Sequence, residues 1–281
     1  MLFASRAGKV ANKIGIIAGS GELPAKLVAA CKDIGRPYFI VAFINETDPR
    51  CYLGEDHILL PLAKVGKVFT ALKNSGSTEV VMAGPINRPS LQDLQFDLRA
   101  LKLITKFTAS KNQGDDALLR LIVEELESEG FSVVGADEIL GNKSTAQEGV
   151  MGSFKPSKAS LDDIMLGINV VRQLGILDIG QAAIVQQKRV IGLEAAEGTD
   201  ELLKRCESLV LSGDPGVLVK FKKPNQDRRA DLPTIGPRTV ELASSIGLAG
   251  IAVEAEQTLI MDYNKVISLA NERCIFVLGV R

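Results

Sequence analysis

A chain of 281 residues, 46% hydrophobic and 24% charged, is long enough for two domains with a sizeable core. A formal net charge of −1, scattered Lys and Arg and no Trp exclude a global field or a stacking platform for nucleic acid. One histidine (His57) and four widely spaced cysteines (Cys31, Cys51, Cys206, Cys274) exclude an ordinary zinc site or a histidine dyad, so any metal would be held by oxygen, favouring Mg²⁺ or Mn²⁺.

Met1 to Asn12 lacks the apolar run of a signal peptide and is taken as an extension ahead of the first strand. Ile14-Gly15-Ile16-Ile17 is a short strand that runs into Gly19-Ser20-Gly21-Glu22-Leu23-Pro24, with helical spacing after it through Leu27, Val28 and Ala30. Glycines followed by a helix start let backbone N–H groups approach a phosphate. A tight turn without ligand accounts for the pattern equally well, because Pro24 stands where a dinucleotide fingerprint needs its third glycine. Tyr38–Ile44 and Ile58–Leu62 are further strands, Val65 to Leu72 a helix stopped near Gly76, and Val80-Val81 a strand leading into Ala83-Gly84-Pro85-Ile86-Asn87-Arg88. Gly84, Asn87 and Arg88 would lie beyond the carboxyl end of that strand, where open parallel sheets bind ligands. Leu91 to Phe107 is helical in spacing, and Asp115-Asp116 begin an amphipathic helix as N-cap and first-turn acid. Phe131–Val134 completes an alternation of strand and helix that predicts a doubly wound, Rossmann-like parallel sheet over residues 13–141.

Residues 142–158 are polar and serve as a linker to a mixed α/β domain over 159–281. Its elements are a helix opened by a Ser160…Asp163 capping box, a hairpin turning at Gln187-Lys188, a helix capped by Thr199 or Asp200, and three later strands with two helices, the last capped by Asp262. Within it, Val217 to Phe221 alternates like a strand that places Leu218, Lys220 and Lys222 on one face. Pro224 and Pro233 then bound a charged loop. Asp227 and Asp231, four residues apart, suit a hard metal ion, while Lys220, Lys222 and Arg228 suit phosphate oxygens. A solvated charged loop is the plain alternative.

Ala18-Gly19-Ser20-Gly21-Glu22-Leu23-Pro24, Gly114-Asp115-Asp116-Ala117-Leu118-Leu119-Arg120, Glu197-Gly198-Thr199-Asp200 and Arg229-Ala230-Asp231-Leu232-Pro233-Thr234-Ile235-Gly236 together resemble the UDP-2,3-diacylglucosamine pyrophosphatase family (LpxI type) of bacterial lipid A synthesis, from about Ile14 to the end. The resemblance implies a Mg²⁺-dependent hydrolase that cleaves the lipid-linked UDP-sugar to UMP and 2,3-diacylglucosamine 1-phosphate, with water attacking the sugar-side phosphorus and substrate held between two domains. Asp231 matches the family's catalytic acid. From spacing, Asp227 is a second candidate both for catalysis and for holding the metal. Gly19, Ser20, Gly21, Gly84, Asn87, Arg88, Thr199, Asp200, Lys220, Lys222, Gln226, Arg228 and Thr234 are the substrate-binding candidates. Expected partners are the lipid substrate and a peripheral membrane surface, with a homodimer allowed and the cytosol as location. A nucleotide-cofactor oxidoreductase and a non-catalytic nucleotide-sugar or lipid-binding regulator are the competing readings.

Overall fold

Apolar runs buried on both sides organise the first part of the chain. The computed structural model describes residues 12–86, 96–109, 114–141 and 144–281. By internal contact the chain divides into Met1–Lys111 with Leu121–Ile139, and Asn112–Arg120 with Leu140–Arg281. The first unit holds β1 (Ile14–Ala18), α1 (Leu23–Asp33), β2 (Tyr38–Phe43), β3 (His57–Leu60), α2 (Val65–Asn74), β4 (Glu79–Ala83), α3 (Leu98–Ala109), most of α4 (Asp115–Ser128), β5 (Ser132–Val133) and most of α5 (Ala136–Leu140). Its five strands are all parallel, in the order β3-β2-β1-β4-β5. Every residue of β1 and all but the first of β2 are buried, as a sheet covered on both faces requires. The expected doubly wound architecture is what forms.

The helix expected from Leu91 begins, among the described residues, at Leu98, because Asp97 caps it. The Asp97 Oδ1 accepts from the Ala100 N–H (2.9 Å) and its Oδ2 from the Gly66 N–H of α2 (2.7 Å). Residues 91–95 of that expected helix lie outside the described residues. Arg99 then stacks 4.3 Å over the Phe69 ring and pairs with Glu125 and Glu129, tying α2, α3 and α4 together.

The second unit holds β6 (Gly149–Met151), α6 (Lys158–Ile176), β7 (Ala182–Gln186), β8 (Arg189–Leu193), α7 (Thr199–Cys206), β9 (Val217–Lys220), β10 (Thr234–Ile235), α8 (Pro237–Ser245), β11 (Gly250–Glu254), β12 (Leu259–Ile260), α9 (Tyr263–Glu272) and β13 (Phe276–Val280). Six strands form a mixed sheet, β6-β13-β11-β9-β7-β8, and β10 pairs with β12 in a separate parallel ribbon. Strand β6 falls within the stretch taken as linker.

Period-two alternation sends the side chains of this sheet into two cores. Ala183, Val185, Val217, Val219 and Ala252 face Ile164, Ile168 and Val171 of α6. Ala182, Ile184, Leu218, Ile251 and Val253 face Leu202 and Leu203 of α7, Val240 of α8 and Val266 of α9. Lys220 continues the Leu218 face as expected, but β9 ends at Lys220, so Lys222 is not on the strand.

Three caps differ from expectation. Ser157, not Ser160, starts α6, its hydroxyl accepting from the Ser160 N–H (3.1 Å). Gly198 precedes α7, leaving Thr199 and Asp200 inside the helix, and Asp262 precedes α9 without a side-chain cap. Asp163, expected in a capping box, is instead buried under the hairpin. Its two oxygens accept from the Gln187 and Lys188 N–H groups (2.9 and 2.6 Å), both residues having left-handed φ of 52° and 60°. That is the turn geometry a two-residue hairpin demands, met here without glycine because a carboxylate binds the turn. Cys31 and Cys206 are buried, whereas Cys51 and Cys274 are exposed.

Candidate active site

In the first unit the strand order reverses between β1 and β4, where open sheets form ligand crevices. Here two glycine loops fill that point. The Gly19 N–H donates to the Ala83 carbonyl (2.8 Å), and the Ser20 N–H and hydroxyl donate to the Pro85 carbonyl (2.8 and 2.9 Å). A Cβ on Gly19 would lie 2.5 Å from the Gly84 and Pro85 oxygens, and one on Gly84, whose φ is +83°, would lie 2.1 Å from the Ser20 oxygen. Gly19, Ser20 and Gly84 therefore pack loop on loop, and two of the amides offered to an anion are already spent. Gly21, at φ +81°, opens toward α1 with room around it. Asn87 and Arg88 lie outside the described residues. Gly84→Ala combines left-handed strain with a backbone clash and is expected to destabilise by about 2–4 kcal/mol, read from the urea midpoint. An unchanged midpoint would mean the loops part freely.

The second unit assembles the charged residues. Lys220, 7% exposed, leaves the end of β9 toward α7. Its Nζ donates to the Thr199 hydroxyl (2.7 Å) and the Thr234 carbonyl (3.0 Å). The Thr199 hydroxyl in turn donates to Glu194 Oε1 (2.5 Å), and Glu194 Oε2 accepts from the Gln181 N–H (2.9 Å). A buried cation and a buried anion are thus bridged by one hydroxyl. Glu194 was not singled out from sequence; its position at the end of β8, one residue past an alternating strand, carries no signal of its own. Asp200 is half-buried and pairs with Arg238 (2.7 Å), away from this chain of contacts.

After β9 the chain turns through residues 221–233 without regular structure, as the two prolines dictate. Lys222 is drawn into the loop, its Nζ donating to the Gln226 carbonyl (3.2 Å) and its N–H to Glu254 (3.0 Å). Lys223 is held between Asp178 (2.5 Å) and Asp116 (3.2 Å). Burial alone would lower the Lys223 pKa, but the Asp178 hydrogen bond and the two carboxylate charges outweigh it and hold the ammonium above its ordinary value. Asp116 is raised, chiefly by burial, with Lys223 opposing. Sequence assigned Asp116 only a helix-start role; its partner is 107 residues away along the chain.

Asp227 and Asp231 have different partners. Both Asp227 oxygens are taken by Arg229, whose N–H and Nε reach Oδ1 (2.9 and 3.1 Å) and whose Nη2 reaches Oδ2 (2.8 Å). That pairing, the Arg229 hydrogen bond first, holds the Asp227 pKa below the usual carboxylate range. Asp231 has one oxygen, Oδ2, on the Gln226 amide (2.6 Å). Cationic neighbours do not set the pKa of Asp231. Desolvation and the Asp116 charge outweigh Lys220, Lys223 and the Gln226 hydrogen bond, and push it up to about 6. As a residue Asp231 is open to solvent. Its desolvation thus reflects protein packed around the carboxylate, not closure from water. Gln226, by contrast, is 5% exposed with its amide engaged at both ends, and Arg228 and Thr234 are half-buried beside it.

Among the described residues no three carboxylate, histidine or cysteine groups form a metal cage. Asp231 and Asp116 themselves offer carboxylate oxygens, and the Asp116 charge contributes to the raised Asp231 pKa. These oxygens suit a hard divalent ion that keeps waters and shares substrate phosphates. Asp227 does not fit that role while Arg229 occupies both its oxygens.

The LpxI N-terminal domain family matches residues 13–142 and the LpxI C-terminal domain family residues 147–278. The UDP-2,3-diacylglucosamine pyrophosphatase LpxI of Caulobacter vibrioides is 40% identical over 277 residues, covering 96% of this chain and 98% of that protein. Among solved structures, an N5-carboxyaminoimidazole synthase from Aspergillus clavatus in complex with ADP matches at 14% identity. It covers 71% of this chain and 44% of its own, with a TM-score of 0.25, which carries no weight for fold or site.

Proposed function

The chain belongs to the LpxI family and is a UDP-2,3-diacylglucosamine pyrophosphatase, and from that premise we propose a Mg²⁺-dependent hydrolysis to UMP and 2,3-diacylglucosamine 1-phosphate centred on Asp231. The single observation that carries the assignment is the state of Asp231: exposed, raised in pKa, tied at one oxygen, with Oδ1 accepting no hydrogen bond from the described residues. Asp231 would hold the ion, with Asp116 nearest to help. When bound, Mg²⁺ would neutralise pyrophosphate charge, much of what phosphoryl transfer asks of a catalyst. Ionised Asp231 orients the attacking water toward the sugar-side phosphorus, and the leaving oxygen departs with UMP. Lys220 and Lys223, both held in place, maintain a positive field there. Arg228, half-buried in the same turn, would supply positive charge to the non-bridging oxygens. Asp227 shapes the loop through Arg229 and is not a metal ligand in this reading.

The spent amides of Gly19 and Ser20 count against the oxidoreductase reading of the first unit. Among the described residues no helix is long and apolar enough to cross a membrane, and contact with the bilayer that carries the substrate is proposed as peripheral. Turnover of UDP-2,3-diacylglucosamine in ¹⁸O-water tests the chemistry. Label in the sugar 1-phosphate supports it; label in UMP moves the attack to the other phosphorus, and no turnover refutes it. Exhaustive chelation is expected to abolish activity and added Mg²⁺ or Mn²⁺ to restore it, since oxygen ligands shared with substrate hold these ions weakly. Full activity after chelation would remove the metal.

A further inference from the structure

We propose that Gln226 and Lys223, anchored by Asp178, form a positioning relay that fixes which oxygen of Asp231 faces the substrate. The proposal rests on the catalytic reading of Asp231 and assigns roles to residues that never touch the substrate. The Lys223 N–H donates to Gln226 Oε1 (3.2 Å), and the Gln226 N–H donates back to the Lys223 carbonyl (3.1 Å). With Oε1 fixed by a backbone donor, the amide nitrogen is the end at Asp231, and it donates to Oδ2 at 2.6 Å. An amide donor holds the carboxylate in place while adding no charge.

The far end of the relay is built at a cost to the backbone. Asp178 takes the left-handed conformation, φ 54°. A Cβ on Gly114 would lie 1.7 Å from the Asp178 carboxylate, and one on Gly175 would lie 2.8 Å from Pro224 and 3.1 Å from the Lys223 backbone. Gly175 sits in the last turns of α6, where alanine would suit the helix better. All three features let the start of the loop seat against the end of α6 with the Lys223 ammonium between Asp178 and Asp116. The left-handed Asp178 also ends α6 as the residue after its C-cap, with the Ile179 N–H on the Leu174 carbonyl and the Asp178 N–H on the Gly175 carbonyl (both 3.1 Å), so the two glycines are the concessions made for the loop. Their common effect is to fix Lys223, and through its backbone N–H the Gln226 side chain.

Gln226→Met keeps length and removes both polar ends. The expected result is kcat lower by about 10-fold or more with KM within twofold, the signature of lost positioning and not of lost substrate contact. Placed on Asp231→Asn, the same change should cost nothing further, because the relay acts only through that carboxylate. Asp178→Asn should lower kcat several-fold, again without raising KM. If Gln226→Met does not fold, Gln226→Ser is read by the same measures. A raised KM at unchanged kcat would make Gln226 a substrate contact and overturn the relay. So would an unchanged kcat in Gln226→Met or in Asp178→Asn, or losses that multiply on Asp231→Asn. If Asp231→Asn alone is fully active, the catalytic reading has failed first, and the two failures are thereby told apart.

Discussion

Asp231→Asn is expected to lower turnover by ~10²-fold or more, the scale of losing one preorganised electrostatic group, with the fold retained. The substitution preserves shape and the contact with Gln226 but removes the charge that would hold an ion and orient water. Because the native pKa is pushed up to about 6, the native protein holds this proton more tightly than the unfolded chain. The sign for stability follows. This group favours folding below the ordinary carboxylate pKa and loses that contribution as pH rises toward 6. Activity runs the opposite way, rising as pH passes 6 because the ionised form works. Asp231→Asn should therefore unfold no earlier than the native protein at pH 8 while being nearly inactive there. Its melting curve and its turnover, measured together, check both statements. Near-normal turnover would make the 221–233 loop a solvated surface feature, and an early melt would mean that Asp231 supports the fold.

The largest expected loss of stability is at Lys220. Lys220→Met replaces the buried ammonium by an apolar side chain of similar length and leaves Glu194, 4% exposed, with only the Thr199 hydroxyl and the Gln181 amide. An uncompensated buried carboxylate costs about 3–5 kcal/mol. Adding Glu194→Gln to Lys220→Met should recover part of that loss, since the stranded charge is removed. Urea unfolding at constant slope reads both values. A single-variant loss below about 1 kcal/mol, or no recovery in the double variant, would mean that water reaches Glu194 and that the bridge is not sealed.

The first unit was legible because its strands are short apolar runs and its helices have apolar stripes, both local patterns. The hairpin at Gln187-Lys188 was legible from the strands on either side, although the buried carboxylate that makes a glycine-free turn tolerable was not. Sequence spacing placed Asp227 and Asp231 together, and the structure gives them different partners, because Arg229 two residues away pairs with Asp227. Spacing along a chain does not say which neighbour wins a carboxylate. Asp178 and Glu194 carried no signal, and the pairing of Asp116 with Lys223 carried none, for the same kind of reason: their partners are distant in sequence or a lone acid at an element end has many uses. The cations near Asp231 are visible in sequence, whereas the desolvation that raises its pKa is not.

Asn112–Arg120 belongs by contact with a unit whose remaining chain begins at Leu140. During synthesis at roughly 5–20 residues per second, the ribosome needs about ten to thirty seconds to finish the rest of the protein after this segment is made. The first turn of α4, including Asp116, is made about five to twenty seconds ahead of the lysine it will pair with, while the helical residues after it already belong to the other unit. A gene fragment starting at Leu140 would lack the turn altogether, and Lys223 would have to settle on Asp178 alone.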